Sequence, residues 1–195
     1  MRHKNSVFHG LLKHVPWHRF DRLVEDHGAD AGIRRLSTKD QLVALLYGQF
    51  SGAASLREIV TGLSSHAVRL YHVGAEPVRR STFSDANAHR PVAVFTDLLA
   101  ILMKQDHRGL RRKLAETTYL IDSTSARLNQ RSADWARFST GVCGAKVHVI
   151  YDADADRPIY AAVSPANVND ITAAQQMPIE PGATYVFDLG YYDYA

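Results

Sequence analysis

Two short segments of this chain share one design. Tyr119-Leu120-Ile121-Asp122 and Tyr185-Val186-Phe187-Asp188 each run through strand-forming apolar residues and stop on an aspartate. If both runs are strands lying side by side in one sheet, their carboxylates emerge together at its edge. Such a pair suits Mg2+, which takes hard oxygen ligands and keeps positions open for phosphate and water. Two such ions about 3.5 to 4 Å apart activate an attacking water or 3′-hydroxyl and stabilise the leaving oxygen of a phosphodiester. An aspartate that closes a strand is also a common turn former or helix cap. Two copies of the pattern, 66 residues apart, leave the two readings evenly matched on the residues alone.

A sheet is needed to position these groups, and the pattern of the chain changes where one would begin. From Thr117, TTYLIDSTSARL is rich in β-branched and aromatic residues, and GAKVHVIYD and RPIYAAVSP follow with DADAD as the turn between them. NDITAAQQM then reads as a short helix capped by Asn169 or Asp170, and TYVFDLGYY as a last strand after the Pro181-Gly182 turn. The predicted order is strand, strand, strand, helix, strand: a hairpin sheet followed by a crossover.

Before Thr117 the period is helical, with at least five helices expected. Ser37 and Thr38 precede KDQLVALLYGQF, where Leu42, Val43, Leu45, Leu46 and Phe50 are placed on one apolar face. Ser55-Leu56-Arg57-Glu58 matches a capping box, Ser81 or Ser84 is a cap for the helix after Arg80, and Pro91 opens VAVFTDLLAILMK. That last helix carries a stripe of Val94, Phe95, Leu98, Leu99 and Leu102.

Charge divides at the same place. Up to Thr118 there are 18 Lys and Arg against 11 Asp and Glu; after it, 5 against 9. A basic front suits a polyanion and an acidic back suits cations. Arg79, Arg80, Arg90, Arg111 and Arg112 form the dense part of the basic front and are candidate DNA-phosphate contacts, since arginine forks match phosphate oxygens. Lys146 joins them as a candidate from the strand region. It alternates with Val147 and shares a strand face with His148, for which a hydrogen-bonded structural role is expected.

Other chemistry-bearing residues have plainer readings. Asp152, Asp154 and Asp156 alternate as a calcium loop begins, but Arg157 stands where the loop needs Gly and Val163 where it needs Glu, so a hairpin turn is expected. Ser123, Thr124 and Ser125 lack a nucleophile elbow. Trp135 and Phe138 are read as pinning a loop against the sheet, with base stacking the other option. The single cysteine, Cys143, is read as a core residue; with no signal-like or membrane-spanning run, the composition points to the cytoplasm.

Three segments carry a family resemblance. Tyr119-Leu-Ile-Asp122-Ser-Thr, Gly144-Ala-Lys146-Val-His148 and Phe187-Asp188-Leu-Gly190-Tyr191-Tyr192 are similar to bacterial insertion-sequence transposases of the acidic-triad (DDE) type, the insertion sequence four family. Phe83-Ser-Asp-Ala-Asn87 with His89-Arg90-Pro91 resembles the helical region that precedes their catalytic domain. The resemblance implies an α+β chain: an all-helical DNA-binding domain over 1–113, then the first half of a ribonuclease-H-like α/β domain over 114–195. Asp122 and Asp188 would be catalytic and bind Mg2+ or Mn2+. The partners would be double-stranded DNA, as transposon ends and target, with a homodimer as the form on DNA and no membrane. The family's third acid is a Glu on a helix with Tyr, Arg and Lys at fixed spacing; no such segment lies within these residues, and the expectation is a front portion inactive by itself. The alternatives are a DNA-binding fragment that regulates or inhibits transposition, or a related metal-dependent DNA nuclease.

Overall fold

Residues 7–105 and 117–192 are described by the computed structural model, and the helical front and strand-rich back form separate units, Met1–Leu102 and Met103–Ala195. The first holds α1 (Val7–Leu12), α2 (Trp17–Asp26), α3 (Thr38–Ser51), α4 (Leu56–Ser65), α5 (Ala67–Leu70), α6 (Arg80–His89) and α7 (Ala93–Gln105), the last running past the unit boundary. None of the described helices is long and apolar enough to cross a membrane.

The hub is α3. Its start is fixed by a reciprocal cap: the Ser37 side chain accepts the N–H of Asp40, and the Asp40 carboxylate accepts the N–H of Ser37. Gly52, at φ 69°, ends it in the left-handed conformation that a side chain would oppose. Three consecutive residues feed three separate cores. Leu42 packs with Phe20, Val94 and Leu98; Val43 with Leu12 and Ala75; Ala44 with Ile59, Leu63 and Phe83. Successive side chains step by about 100° around a helix, so these three face three directions. The single apolar face expected for α3 is therefore corrected: the helix is covered on several sides along its first half, while Phe50 is exposed, its ring edge-on to Phe8 at 6.3 Å. Gly48 permits the close approach of α4, since a Cβ there would lie 2.5 Å from Ile59 Cδ1.

At α4 the Ser55 side chain accepts the Glu58 N–H as expected, but the Glu58 carboxylate reaches the N–H of Ala54 at 2.9 Å. The caps expected for α6 are corrected. Ser81 and Ser84 lie inside the helix, which follows an extended Arg79 without any side-chain cap. On α7, Val94 and Leu98 are buried and Leu99 is exposed.

Arg90 is also corrected, from DNA contact to interior ion. Its guanidinium donates to Thr38 Oγ1 at 2.8 Å, to Gln41 Oε1 at 3.4 Å and to the carbonyl of Leu36, and stands 3.4 Å from Asp30 Oδ1. Asp30 in turn accepts from the backbone N–H and the hydroxyl of Thr38. Gln41 donates to Asn87 at 2.7 Å. Within the 83–91 segment Phe83 and Arg90 are thus turned inward, and the exposed Asn87 bonds back to Gln41.

In the second unit, β1 (Thr118–Leu128), β2 (Arg137–Ser139), β3 (Val142–Asp152), β4 (Arg157–Pro165), α8 (Asp170–Ala174) and β5 (Thr184–Phe187) follow the expected order, with β2 an addition. The sheet runs β2-β3-β1-β5, and β4 also pairs with β3. β1 and β4 are antiparallel to β3, while β5 is parallel to β1. The 152–156 turn closes on itself: Asp152 Oδ1 accepts the N–H groups of Asp154 and Ala155, and Asp156 takes φ 53°. Tyr119, Ile121, Ile150, Met177 and Tyr191 form the core, and Cys143 is buried. Trp135 and Phe138 are about half exposed.

Removing the Arg90 guanidinium strands a buried set of acceptors, a loss of about 3 kcal/mol. Arg90→Met should lower hydrogen-exchange protection of the α3 amides Gln41 to Gly48 and leave β3 protection unchanged. Equal protection of α3 in both proteins would show that these bonds contribute little.

Candidate active site

The parallel ladder between β1 and β5 pairs Thr118 with Thr184, Tyr119 with Tyr185, Leu120 with Val186 and Ile121 with Phe187. Asp122 comes next within β1 and Asp188 directly after the end of β5, so the register sets the two side by side. Tyr119 and Tyr185 stack behind them at 5.2 Å, and Tyr119 donates to Glu180 at 3.0 Å. Burial beside that carboxylate pushes the Tyr119 phenol up to about 12, which keeps it a donor.

Each aspartate is oriented by backbone. Asp122 Oδ1 accepts the N–H of Ser123 at 2.7 Å, and Asp188 Oδ1 accepts the N–H of Gly190 at 2.9 Å, capping the 3-10 turn Leu189–Tyr191. Both residues are exposed, and among the described residues neither forms an ion pair with a cationic side chain. Gly190 gives the Asp188 carboxylate its room: a Cβ there would lie 3.0 Å from Asp188 Oδ1 and 3.6 Å from Asp170 Oδ2.

A polar layer lies beneath the pair. Lys146 donates to Asp170 Oδ1 at 3.0 Å and to the Val168 carbonyl at 3.2 Å, and Ser123 donates to Asp170 Oδ1 at 3.4 Å. His148, 1 % exposed, is hydrogen-bonded to Ser164 Oγ at 2.8 Å and the Tyr191 hydroxyl at 3.3 Å, with Asp170 Oδ1 3.8 Å away. Burial lowers the His148 pKa; the nearby Asp170 opposes the shift and Lys146 adds to it. Burial likewise raises the Tyr191 pKa, and the carboxylates of Asp170, Asp122 and Asp188 all add to that rise, against a hydrogen bond with Ser123. Tyr191 thus sits as a neutral post among three acids.

Of the residues expected to contact DNA, Arg79 and Arg80 are exposed at the start of α6, and Arg111 and Arg112 lie outside the described residues. Lys146 is corrected: its ammonium is engaged by Asp170 and the Val168 carbonyl. His148 has the hydrogen-bonded role expected of it. Asp170 and Tyr191 were missed, because one read as a helix cap and the other as strand; Asn169 takes the cap instead, accepting the Ile171 N–H. Alternation of Lys146 and His148 was the available signal that this sheet face is polar and needs partners.

The two exposed carboxylates fit hard divalent cations in chemistry and in freedom from competing ion pairs. Among the described residues no three His, Cys, Asp or Glu side chains are grouped to hold a metal ion. Two carboxylates suffice for Mg2+ when water and phosphate complete the shell.

An antiparallel meander of β1, β3 and β4, a helical crossover and β5 parallel to β1, with one aspartate within β1 and one directly after β5, define a ribonuclease-H-like domain. Comparison with known proteins agrees. Residues 113–195 match the family described as Transposase DDE domain, and residues 3–76 the family described as Domain of unknown function (DUF4372). A protein of Sinorhizobium fredii (strain NBRC 101917 / NGR234), named "Putative transposase y4zB", is 43% identical over 111 residues, covering 57% of this chain and 31% of that protein. The match to the transposase DDE domain thus covers the strand-rich back of the chain, and the chain spans about a third of that relative's length.

The lowered His148 pKa fixes a pH dependence. Below its ordinary value of 6.5 the unfolded state binds more protons at this residue than the folded state, so stability is lost as pH falls through that value. Protection of β3 amides should fall between pH 7.5 and 5.5, and less so in His148→Gln. The same slope in both proteins would assign the effect to other groups.

Proposed function

We propose that this chain carries the first two metal-binding acids of a transposase that cuts transposon ends and joins the freed 3′-hydroxyl to target DNA. The observation that supports this reading best is the ladder register that makes Asp122 and Asp188 neighbours. Mg2+ or Mn2+ held there supplies activation of the attacking oxygen and stabilisation of the leaving one. The chain's own residues prepare the site. The N–H groups of Ser123 and Gly190 each fix one carboxylate oxygen, leaving the other for the ion. Lys146 neutralises Asp170, which keeps a third negative charge from repelling the phosphodiester.

In the same reading, residues 1–113 are the DNA-binding domain, with Arg79, Arg80, Arg111 and Arg112 on phosphate, and 114–195 the catalytic portion. The protein acts in the cytoplasm as a homodimer on double-stranded DNA.

Metal binding tests the centre without requiring turnover. Mn2+ added to the full chain and followed by water-proton relaxation should show a site weakened about tenfold or more by Asp122→Asn or Asp188→Asn. Gly190→Ala, which crowds Asp188 without removing it, should weaken it by a smaller factor. Undiminished Mn2+ affinity in both Asn variants would remove the metal assignment. DNA binding by the Asn variants should match that of the parent.

A further inference from the structure

We infer that the first unit carries a duplex-DNA backbone site in a cleft between the 28–36 loop and α6, walled by Arg34, Arg35 and Arg79. The inference rests on the reading of the front unit as DNA-binding, and it adds where the phosphates lie. Neither Arg34 nor Arg35 belongs to the basic run that the sequence makes conspicuous.

Two adjoining cavities, of about 840 and 250 Å³, share Arg34, Arg35, Leu36 and Thr82 as lining. Arg79 closes the smaller one. All three arginines are exposed, and among the described residues none is ion-paired to an acid. Glu76 and Asp85 also lie on the walls, one in each cavity, so the cleft keeps an excess of positive charge rather than a uniform one.

Two features make this a built surface. The loop bearing Arg34 and Arg35 is tied down on both sides by the buried Arg90, which takes the Leu36 carbonyl and faces Asp30. Forks on a fixed loop lose less freedom on binding than forks on a mobile one. The opposite wall is the first turn of α6, which no side chain caps; this adds to the positive wall but does not by itself make a site. A lone inorganic phosphate would engage one or two of the forks. Three forks spread over two connected cavities match a run of phosphates along one strand of a duplex.

Fluorescence anisotropy of a labelled duplex against the full chain, at several salt concentrations, tests the cleft. Arg34→Ala/Arg35→Ala should raise Kd about tenfold or more and reduce the slope of log K against log salt by about two. Arg57→Ala/Arg69→Ala removes the same charge from exposed positions on α4 and α5 and should change Kd by less than about threefold. Arg34→Lys/Arg35→Lys should keep most of the affinity, which separates lost charge from lost folding. If the parent binds duplex with a salt slope but both alanine pairs weaken it equally, or Arg34→Ala/Arg35→Ala has no effect, the cleft is overturned while the DNA-binding reading stands. If the parent shows no salt-dependent duplex binding, both fall together.

Discussion

A four-residue parallel ladder, from Thr118 to Ile121 against Thr184 to Phe187, sets the geometry of the whole second unit. Strand side chains alternate with a period of two, so a slip of one residue in that ladder would turn Asp188 to the opposite side of the sheet from its partner. The register is held from behind by matched bulk, Tyr119 against Tyr185, and by the burial of Ile121 with Ile150 and Tyr191. β1 is also paired along most of its length with β3, from Tyr119 to Leu128, so one partner of the short ladder is already rigid. The carboxylates inherit their positions from apolar packing several ångströms away.

The same division between a buried polar scaffold and an exposed working surface recurs in both units. In the first, Arg90 sits with Asp30, Thr38, Gln41 and the Leu36 carbonyl, and every one of these is a group that would be costly to bury without a partner. In the second, Lys146, His148 and Asp170 do the equivalent under the sheet edge. Each network joins segments distant in sequence, and each stands next to a charged feature left open to solvent. Buried ions of this kind add little net stability compared with apolar residues of the same shape. What they fix here is position.

Much of the architecture was legible because it depends on local chemistry. The Ser37 and Ser55 caps, the 152–156 turn, the strand runs and the repeated Asp-terminated pattern are all short-range signals. What went unread was decided by tertiary context. An arginine looks the same in sequence whether it reaches solvent, as Arg79 does, or is drawn inside by Asp30, as Arg90 is. The multi-sided burial of α3 cannot be told from a one-faced helix by counting apolar residues, because its Ala44 and Gln41 are buried by neighbours rather than by hydrophobicity. Asp170 sits at a helix start, where aspartate has an ordinary local purpose, and only the fold reveals Lys146 across from it.

The ladder between β1 and β5 also has a temporal meaning. The β3–β4 hairpin closes over a four-residue turn and β1 joins β3 across a loop of moderate length, but Asp122 and Asp188 are 66 residues apart in the chain. Loop closure costs more as the separation grows, and contacts of long range form after those of short range have reduced the search. By that argument the two carboxylates meet after β1, β3 and β4 have paired. During synthesis the first aspartate leaves the ribosome well before the second, so a single carboxylate on β1 precedes the pair.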